Sequence, residues 1–246
     1  MRLLAAVLLT LAALPVSAKE LTVSAAASLK DAFQEISAQY QRQYPGVTVR
    51  LNTAGSGALV QQLRQGAPVD VLATADQVSM DKAAESKSID VATRKTFVRN
   101  DLVMVVPKNS KLRLQSPADL KQSAVKRIAL SNPDSVPVGR YAKAALSKAG
   151  IFDALKPKLI TTQSVRQSLD YVARGEVDAG FVYRTDAALM ANKVNISATV
   201  PPDTPVSYPI AVTANSRDKA EARRFVDFVL SPAGRKVLDK YGFSRP

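Results

Sequence analysis

Short apolar runs rich in valine and isoleucine alternate along the chain with segments whose apolar residues recur at helical spacing. Strands that alternate with helices in this way are typical of a parallel or mixed sheet covered by helices, so the predicted fold class is α/β. The predicted strands are residues 21–25, 47–51, 69–73, 102–106, 128–130, 159–161, 179–183 and 208–212. The 246-residue length allows one large domain or two smaller ones.

Four junctions between a predicted strand and the following helix combine a helix start with small or hydroxyl-bearing residues. They are Ser28, Gly55-Ser56-Gly57, Pro137-Val138-Gly139 and Ser164-Val165. The first N–H groups of a helix lack partners within it and carry a partial positive charge, so each junction is a potential oxyanion cradle. Such ends lie beside the crevice at the carboxyl edge of an α/β sheet, and together they predict a site for a small dianion.

Each serine is, taken singly, more often an ordinary helix cap than part of a binding site. Ser28 precedes a helix whose apolar residues include Phe33 and Ile36, and we predict that it caps this helix. Ser164 is followed three residues later by Gln167, which is the spacing of a capping box. The predicted anion site therefore depends on the combination of junctions.

The chain contains no histidine and no cysteine, which removes the usual general base, the thiolate nucleophile and the commonest metal ligands. A Ser-His-Asp triad is excluded, and no phosphate-binding glycine motif is present. The acidic pairs Asp70 with Asp76 and Glu176 with Asp178 leave one enzymatic alternative, an exported enzyme that uses two carboxylates. We predict a binding protein rather than an enzyme.

The first eighteen residues predict an export signal that is cleaved. Arg2 gives the positive start, residues 3–14 form a short apolar stretch, and Val16-Ser17-Ala18 is a small-residue cleavage site. The apolar stretch is shorter than the roughly 20 residues needed to span a membrane. The net charge of +13 favours an anionic partner, but the basic residues are scattered without interleaved aromatics, so nucleic-acid binding is not predicted.

Several segments spread over the whole mature chain resemble those of periplasmic molybdate-binding proteins, the solute receptors of molybdate ABC importers. The matching segments are Ala25-Ala26-Ala27-Ser28-Leu29, Gly66-Ala67-Pro68-Val69-Asp70-Val71, Ala75-Asp76-Gln77, Val136-Pro137-Val138-Gly139, Tyr141-Ala142, Val165-Arg166, Gly180-Phe181-Val182-Tyr183, Asp186-Ala187 and Lys240-Tyr241-Gly242-Phe243. The chain departs from many relatives in having fewer serines around Ser56 and a valine at Val138, where a smaller alanine is common.

The resemblance implies a type II periplasmic binding protein fold, in which two lobes, each a mixed sheet flanked by helices, enclose a cleft. The implied division is a signal peptide at 1–18, one lobe at 19–98 and 207–246, and a second lobe at 99–206. It further implies a monomer in the periplasm that delivers molybdate, and also tungstate, to a membrane permease with a cytoplasmic ATPase, without a cofactor.

The resemblance also implies which residues hold the oxyanion, and with it the molybdenum. Ser28 and Ser56 would each donate a hydroxyl and an amide, Val138 and Val165 would donate amides, and Tyr183 would donate its hydroxyl. A receptor of the same fold for sulfate or another small anion remains the alternative, because such ions share charge and shape and differ mainly in size.

Overall fold

The computed structural model describes residues 19–246, so the predicted signal peptide lies outside the described residues. The strands in this part of the chain are β1 (Lys19–Ala26), β2 (Val47–Ala54), β3 (Val71–Ala73), β4 (Lys95–Asn100), β5 (Leu102–Pro107), β6 (Ile128–Ser131), β7 (Leu159–Thr162), β8 (Ala179–Tyr183), β9 (Val194–Thr199) and β10 (Val206–Val212). Each of the eight predicted strands coincides with one of these. Two further strands, β4 and β9, were not predicted.

The strands form two five-stranded mixed sheets, each the centre of one lobe. The first has the order β2-β1-β3-β10-β4, with β1 parallel to β2 and β3, and β10 antiparallel to its neighbours. The second has the order β7-β6-β8-β5-β9, with β6 parallel to β7 and β8, and β5 antiparallel to β8 and β9. The predicted α/β class with two mixed sheets is confirmed.

Helices cover the faces of both sheets. They are α1 (Lys30–Gln43), α2 (Ser56–Arg64), α3 (Gln77–Glu85), α4 (Pro137–Lys148), α5 (Phe152–Leu155), α6 (Val165–Ala173), α7 (Arg184–Leu189), α8 (Lys219–Leu230) and α9 (Pro232–Lys240). In the first lobe, Phe33 of α1 packs edge-on against Phe97 of β4 and Phe225 of α8, with ring centroids 6.0 and 6.4 Å away. None of the helices within residues 19–246 is long and apolar enough to cross a membrane.

The chain crosses between the two sheets twice, at neighbouring places. It leaves the first sheet at Asn100, the end of β4, and enters the second at Leu102, so Asp101 alone joins the two strands. It returns through residues 200–205, part of the proline-rich stretch, into β10. The predicted lobe borders, after residues 98 and 206, fall just inside β4 and β10.

The prediction that Ser28 caps the first long helix is wrong. Residues Ala27–Leu29 form a 3-10 turn that runs directly into α1, and Leu29 occupies the cap position without a side-chain hydrogen bond. The backbone is therefore already helical at Ser28. Its hydroxyl is engaged instead with the hydroxyl of Tyr208 on β10, at 3.1 Å.

Candidate functional site

A small cavity of about 10 Å³ lies between the lobes, where strands of both sheets end. Its lining contains all five residues that the resemblance implicates: Ser28, Ser56, Val138, Val165 and Tyr183. The remaining lining residues are small or apolar: Ala26, Ala27, Ala54, Gly55, Ala75, Val136 and Pro137. The structure therefore brings the five residues together, from segments far apart in sequence, and all five are buried.

The Ser56 hydroxyl is oriented by the backbone of a neighbouring loop. Its oxygen accepts a hydrogen bond from the Ala75 amide at 3.0 Å, and the residue is fully buried. Because a hydroxyl has one hydrogen and two lone pairs, accepting from Ala75 leaves that hydrogen for a second partner. Ser56 also lies in the first turn of α2, so its amide has no acceptor inside the helix.

Val138 and Val165 bring two more helix starts to the cavity from the second lobe. Val138 is the second residue of α4, after Pro137, and Val165 is the first residue of α6. Proline at the first position of a helix is favourable because its missing N–H would be unpaired there in any case. Both valines are buried and line the cavity, and at these helix positions their amides have no acceptor inside their own helix.

The start of α6 follows the predicted capping pattern in part. The Ser164 hydroxyl accepts a hydrogen bond from the Gln167 amide at 3.2 Å, which confirms Ser164 as the cap. The Gln167 side chain, however, accepts from the Gln163 amide at 2.7 Å rather than from that of Ser164. The reciprocal bond of the predicted capping box is thus displaced by one residue.

The Tyr183 hydroxyl is an unpaired polar group facing this cavity. Only 1% of the residue is exposed, and its oxygen has no hydrogen-bond partner among residues 19–246. Burial raises the pKa of the phenol well above its ordinary value, so the group keeps its hydrogen at neutral pH. A buried hydroxyl without a partner costs about 1 to 3 kcal/mol, which marks this atom as one that a bound ligand would satisfy.

Among residues 19–246, no charged side chain lines the cavity, and the nearby arginines are already paired across the lobes. Arg140 of α4 donates to Asp76 at 2.7 Å and to the Ser79 hydroxyl at 2.7 Å, both in the first lobe. Arg166 of α6 pairs with Asp31 of the first lobe at 2.7 Å and with Asp186 of its own lobe at 2.5 Å. Within the described part of the chain, hydroxyls and backbone amides are therefore the hydrogen-bond donors at the cavity.

Asp186 is the more unusual member of the Arg166 cluster because it is completely buried. Burial raises the pKa of its carboxyl to about 6, against the lowering effect of Arg166. One carboxylate oxygen accepts from Arg166, and the other has no partner within the described part of the chain.

The acidic pairs that left an enzyme open have structural roles. Asp70 accepts from the Thr22 amide at 2.8 Å and from the Ser216 hydroxyl at 2.7 Å, and Asp76 caps α3. Asp178 accepts from the amides of Lys126 and Arg127, just before β6, and Glu176 forms an ion pair with Arg174 at 3.7 Å. No cluster of acidic residues suited to hold a metal ion occurs in residues 19–246.

Sequence reasoning missed the residues that support the site from behind, Tyr208, Asn100 and Ala75. Tyr208 was predicted only as a strand residue, and Asn100 lies in the unpredicted strand β4. Their contact arises when β4 and β10 pair, and no local sequence pattern predicts it.

A wider, open groove of about 610 Å³ beside Arg140 and Tyr141 contains none of the five predicted residues.

Two α/β lobes joined by two crossing segments, with a buried cavity of hydrogen-bond donors between them, define the class of bilobal solute receptors. The family model described as "Bacterial extracellular solute-binding protein" matches residues 21–244. The chain belongs to this family of solute-binding proteins, so it is a binding protein and not an enzyme, as the sequence predicted. Membership also makes it an exported protein.

Individual relatives are similar over nearly the whole chain. The molybdate-binding protein ModA of Escherichia coli is 39% identical over 232 residues, which cover 92% of this chain and 89% of that protein. The structure of the substrate-binding domain of a putative molybdenum ABC transporter from Clostridium difficile is 34% identical, with a TM-score of 0.69, covering 92% of this chain and 99% of that one. The Azotobacter vinelandii periplasmic molybdate-binding protein shares the fold, with a TM-score of 0.80 at 24% identity and the same coverage.

Proposed function

We propose that this protein captures molybdate, and also tungstate, in the cavity between its lobes and delivers it to the permease of an ABC importer with a cytoplasmic ATPase. The names of its relatives support the ligand and the transport role. We further propose that residues 1–18 are a cleaved signal peptide, that the mature protein is a periplasmic monomer, and that the oxyanion is cargo with no resident cofactor.

The observation that carries the ligand class is the Tyr183 hydroxyl, which has no partner among the described residues and lies in a cavity that none of their charged side chains lines. We assign the oxyanion contacts to the hydroxyls of Ser28, Ser56 and Tyr183 and to the amides of Ser28, Ser56, Val138 and Val165. These groups can all donate hydrogen bonds, and no residue from 19 to 246 presents a carboxylate to the cavity to accept one. Such a set suits a fully deprotonated tetrahedral dianion.

The same set disfavours hydrogen phosphate. Phosphate keeps a proton near neutral pH, and that proton needs an acceptor, which a lining of donors does not supply. Sulfate has no such proton, so its exclusion must rest on size and on how completely the hydrogen bonds are made. Molybdate and sulfate are thus the informative pair of ligands.

Thermal unfolding of the mature protein with molybdate, tungstate, sulfate and phosphate, one at a time and at equal concentration, tests the proposal. A ligand that binds only the native state at a hundred times its Kd stabilises it by about 2.7 kcal/mol, a rise in Tm of roughly 5 to 10 °C for a chain of this size. We expect this rise with molybdate and tungstate only. A rise with sulfate alone would change the substrate, and no rise with any anion would reject the site.

The variant Ser147→Ala is a suitable control for later variants of the site. Ser147 is exposed on α4, the helix that also carries Val138 at its start. Because the Ser147 hydroxyl is remote from the cavity, Ser147→Ala shows whether the loss of any serine hydroxyl changes the response to anions.

A further inference from the structure

A chain of side-chain hydrogen bonds leads from the crossing segments to the Ser28 hydroxyl. The Asn100 side-chain nitrogen lies 2.9 Å from the Thr185 hydroxyl and 3.3 Å from the Tyr208 hydroxyl. The Tyr208 hydroxyl in turn lies 3.1 Å from the Ser28 hydroxyl. Tyr208 is fully buried, while Ser28 and Thr185 are nearly so. The chain therefore runs through the interior, from the end of β4 to the cavity.

The orientation of the Asn100 amide is fixed by the backbone. Its oxygen accepts a hydrogen bond from the Asp101 amide at 2.9 Å, so its nitrogen is the atom that faces Tyr208 and Thr185. An amide nitrogen carries two hydrogens and accepts none. Asn100 therefore donates to the oxygen of Tyr208, and the direction of this first bond has no alternative.

The direction of the next bond follows from the first. Because the Tyr208 oxygen accepts from Asn100, and because a buried phenolic hydrogen needs an acceptor, we assign that hydrogen to its other neighbour, the Ser28 oxygen. Burial raises the pKa of Tyr208 well above its usual value, so this hydrogen is retained at neutral pH. Ser28 therefore accepts from Tyr208, and its own hydrogen is free to point into the cavity that it lines.

We propose that Tyr208 and Asn100 are positioning residues that hold the Ser28 hydroxyl as a donor toward the bound oxyanion. This inference rests on the proposed function. The Ser56 hydroxyl is oriented in the same way by the Ala75 backbone amide, which donates to it. A side chain therefore orients one serine and a backbone group orients the other. Hydrogen bonds in such a chain polarise and strengthen one another, so we expect the chain to strengthen a bond that Ser28 donates to the ligand.

A double-mutant cycle between Tyr208→Phe and Ser28→Ala tests this coupling, with the Kd for molybdate measured by calorimetry. We expect Tyr208→Phe alone to weaken binding about tenfold, since it removes the donor that orients Ser28. In the Ser28→Ala background the same substitution should change the Kd by less than about twofold. A positioning role acts only through Ser28, whereas general damage to the lobe would weaken binding in both backgrounds.

Tyr40→Phe is the matched control, because Tyr40 is another fully buried tyrosine of the first lobe whose hydroxyl is hydrogen-bonded, in this case to Glu221. It should lower the Tm and leave the Kd unchanged. Asn100→Ala provides a second variant should Tyr208→Phe fold poorly. We expect a smaller loss, about threefold, that also disappears in the Ser28→Ala background.

The outcomes separate this inference from the proposed function. If wild type binds molybdate and Ser28→Ala weakens it, while Tyr208→Phe either has no effect or acts equally in both backgrounds, the positioning role is overturned and the site stands. If wild type does not respond to molybdate, or Ser28→Ala leaves the Kd unchanged, the assigned site itself is rejected.

Discussion

The Gly57 amide donates a hydrogen bond to the carbonyl oxygen of Ser135 at 2.8 Å, and this bond joins the two lobes next to the cavity. A Cβ atom on Gly57 would lie 2.5 Å from that oxygen and 2.9 Å from the Ser135 Cα. Both neighbouring atoms belong to the backbone of the other lobe, which cannot move aside as a flexible side chain would. Closure in this form therefore requires glycine at position 57.

We expect Gly57→Ala to fold normally and to bind molybdate at least tenfold more weakly, because the added methyl group holds the lobes apart. Calorimetry gives the affinity, and small-angle scattering shows whether molybdate still compacts the protein. Ala58→Gly is the matched control: Ala58 is exposed on the same turn of α2, and glycine there weakens the helix by about 1 kcal/mol without obstructing the approach of the lobes. Normal compaction of Gly57→Ala would contradict this reading.

The elements that could be predicted from sequence are those whose signals are local. The strand at β8 and the helix starts at Ser56 and Val165 follow from apolar runs, glycine and capping residues, which act over a few neighbouring positions. The strand β9 was missed because its side chains are largely exposed and it lies at the sheet edge, so no apolar run marks it. Ser28 was misassigned as a cap because a continuous 3-10 turn resembles a cap in sequence.

The convergence of the site could not be predicted from the residues alone. Tyr183 was indistinguishable from any buried strand tyrosine until the resemblance named it, and its missing partner is visible only in three dimensions. Tyr208 and Asn100 support Ser28 through the pairing of β4 with β10, a contact between residues more than one hundred positions apart. Contacts of this kind depend on topology, which single-residue patterns do not encode.

The substitutions Ser28→Ala and Ser56→Ala should each weaken molybdate binding by about 1 to 3 kcal/mol, or roughly 5- to 150-fold, because each removes a hydrogen bond to a charged ligand. Val138→Ala should have a much smaller effect, since the assigned contact there is the backbone amide. Calorimetric titration of the variants beside Ser147→Ala checks the ranking. Equal losses at Ser28 and Val138 would contradict the assignment of hydroxyl and amide roles.

Tyr183→Phe should separate stability from affinity. In the absence of ligand, the variant should match or exceed wild type in unfolding free energy, by up to about 1 kcal/mol, because the lost hydroxyl has no partner within residues 19–246. Its affinity for molybdate should fall about tenfold, since the ligand loses a donor. Urea unfolding tests the predicted change in stability, and calorimetry on the same preparation tests the predicted loss of affinity. A clear loss of stability without ligand would mean that the hydroxyl has a structural role.

Asp186 should give the protein a pH-dependent contribution to stability. The pKa of this carboxyl is about 6 in the folded protein, above the ordinary aspartate value of 3.8, because burial disfavours the charge. The folded state therefore binds more protons than the unfolded state between about pH 4 and pH 6, and this group's contribution falls as the pH rises through that window. Asp186 therefore contributes its full stabilisation only below about pH 4, where the carboxyl is protonated in both states.

The variant Asp186→Asn isolates this contribution, because an amide of the same shape does not titrate. We expect the unfolding free energy of wild type, relative to the variant, to decrease by about 1 to 3 kcal/mol between pH 4 and pH 7, measured by urea unfolding without ligand. Asp153→Asn is the control, since Asp153 is exposed, and the pKa of its carboxyl is lowered by a hydrogen bond to Lys156. The unfolding free energy of wild type relative to Asp153→Asn should rise, not fall, with pH, because a lowered carboxyl pKa stabilises the folded state at higher pH. A flat difference for Asp186→Asn would mean that Arg166 holds the pKa of Asp186 near its ordinary value.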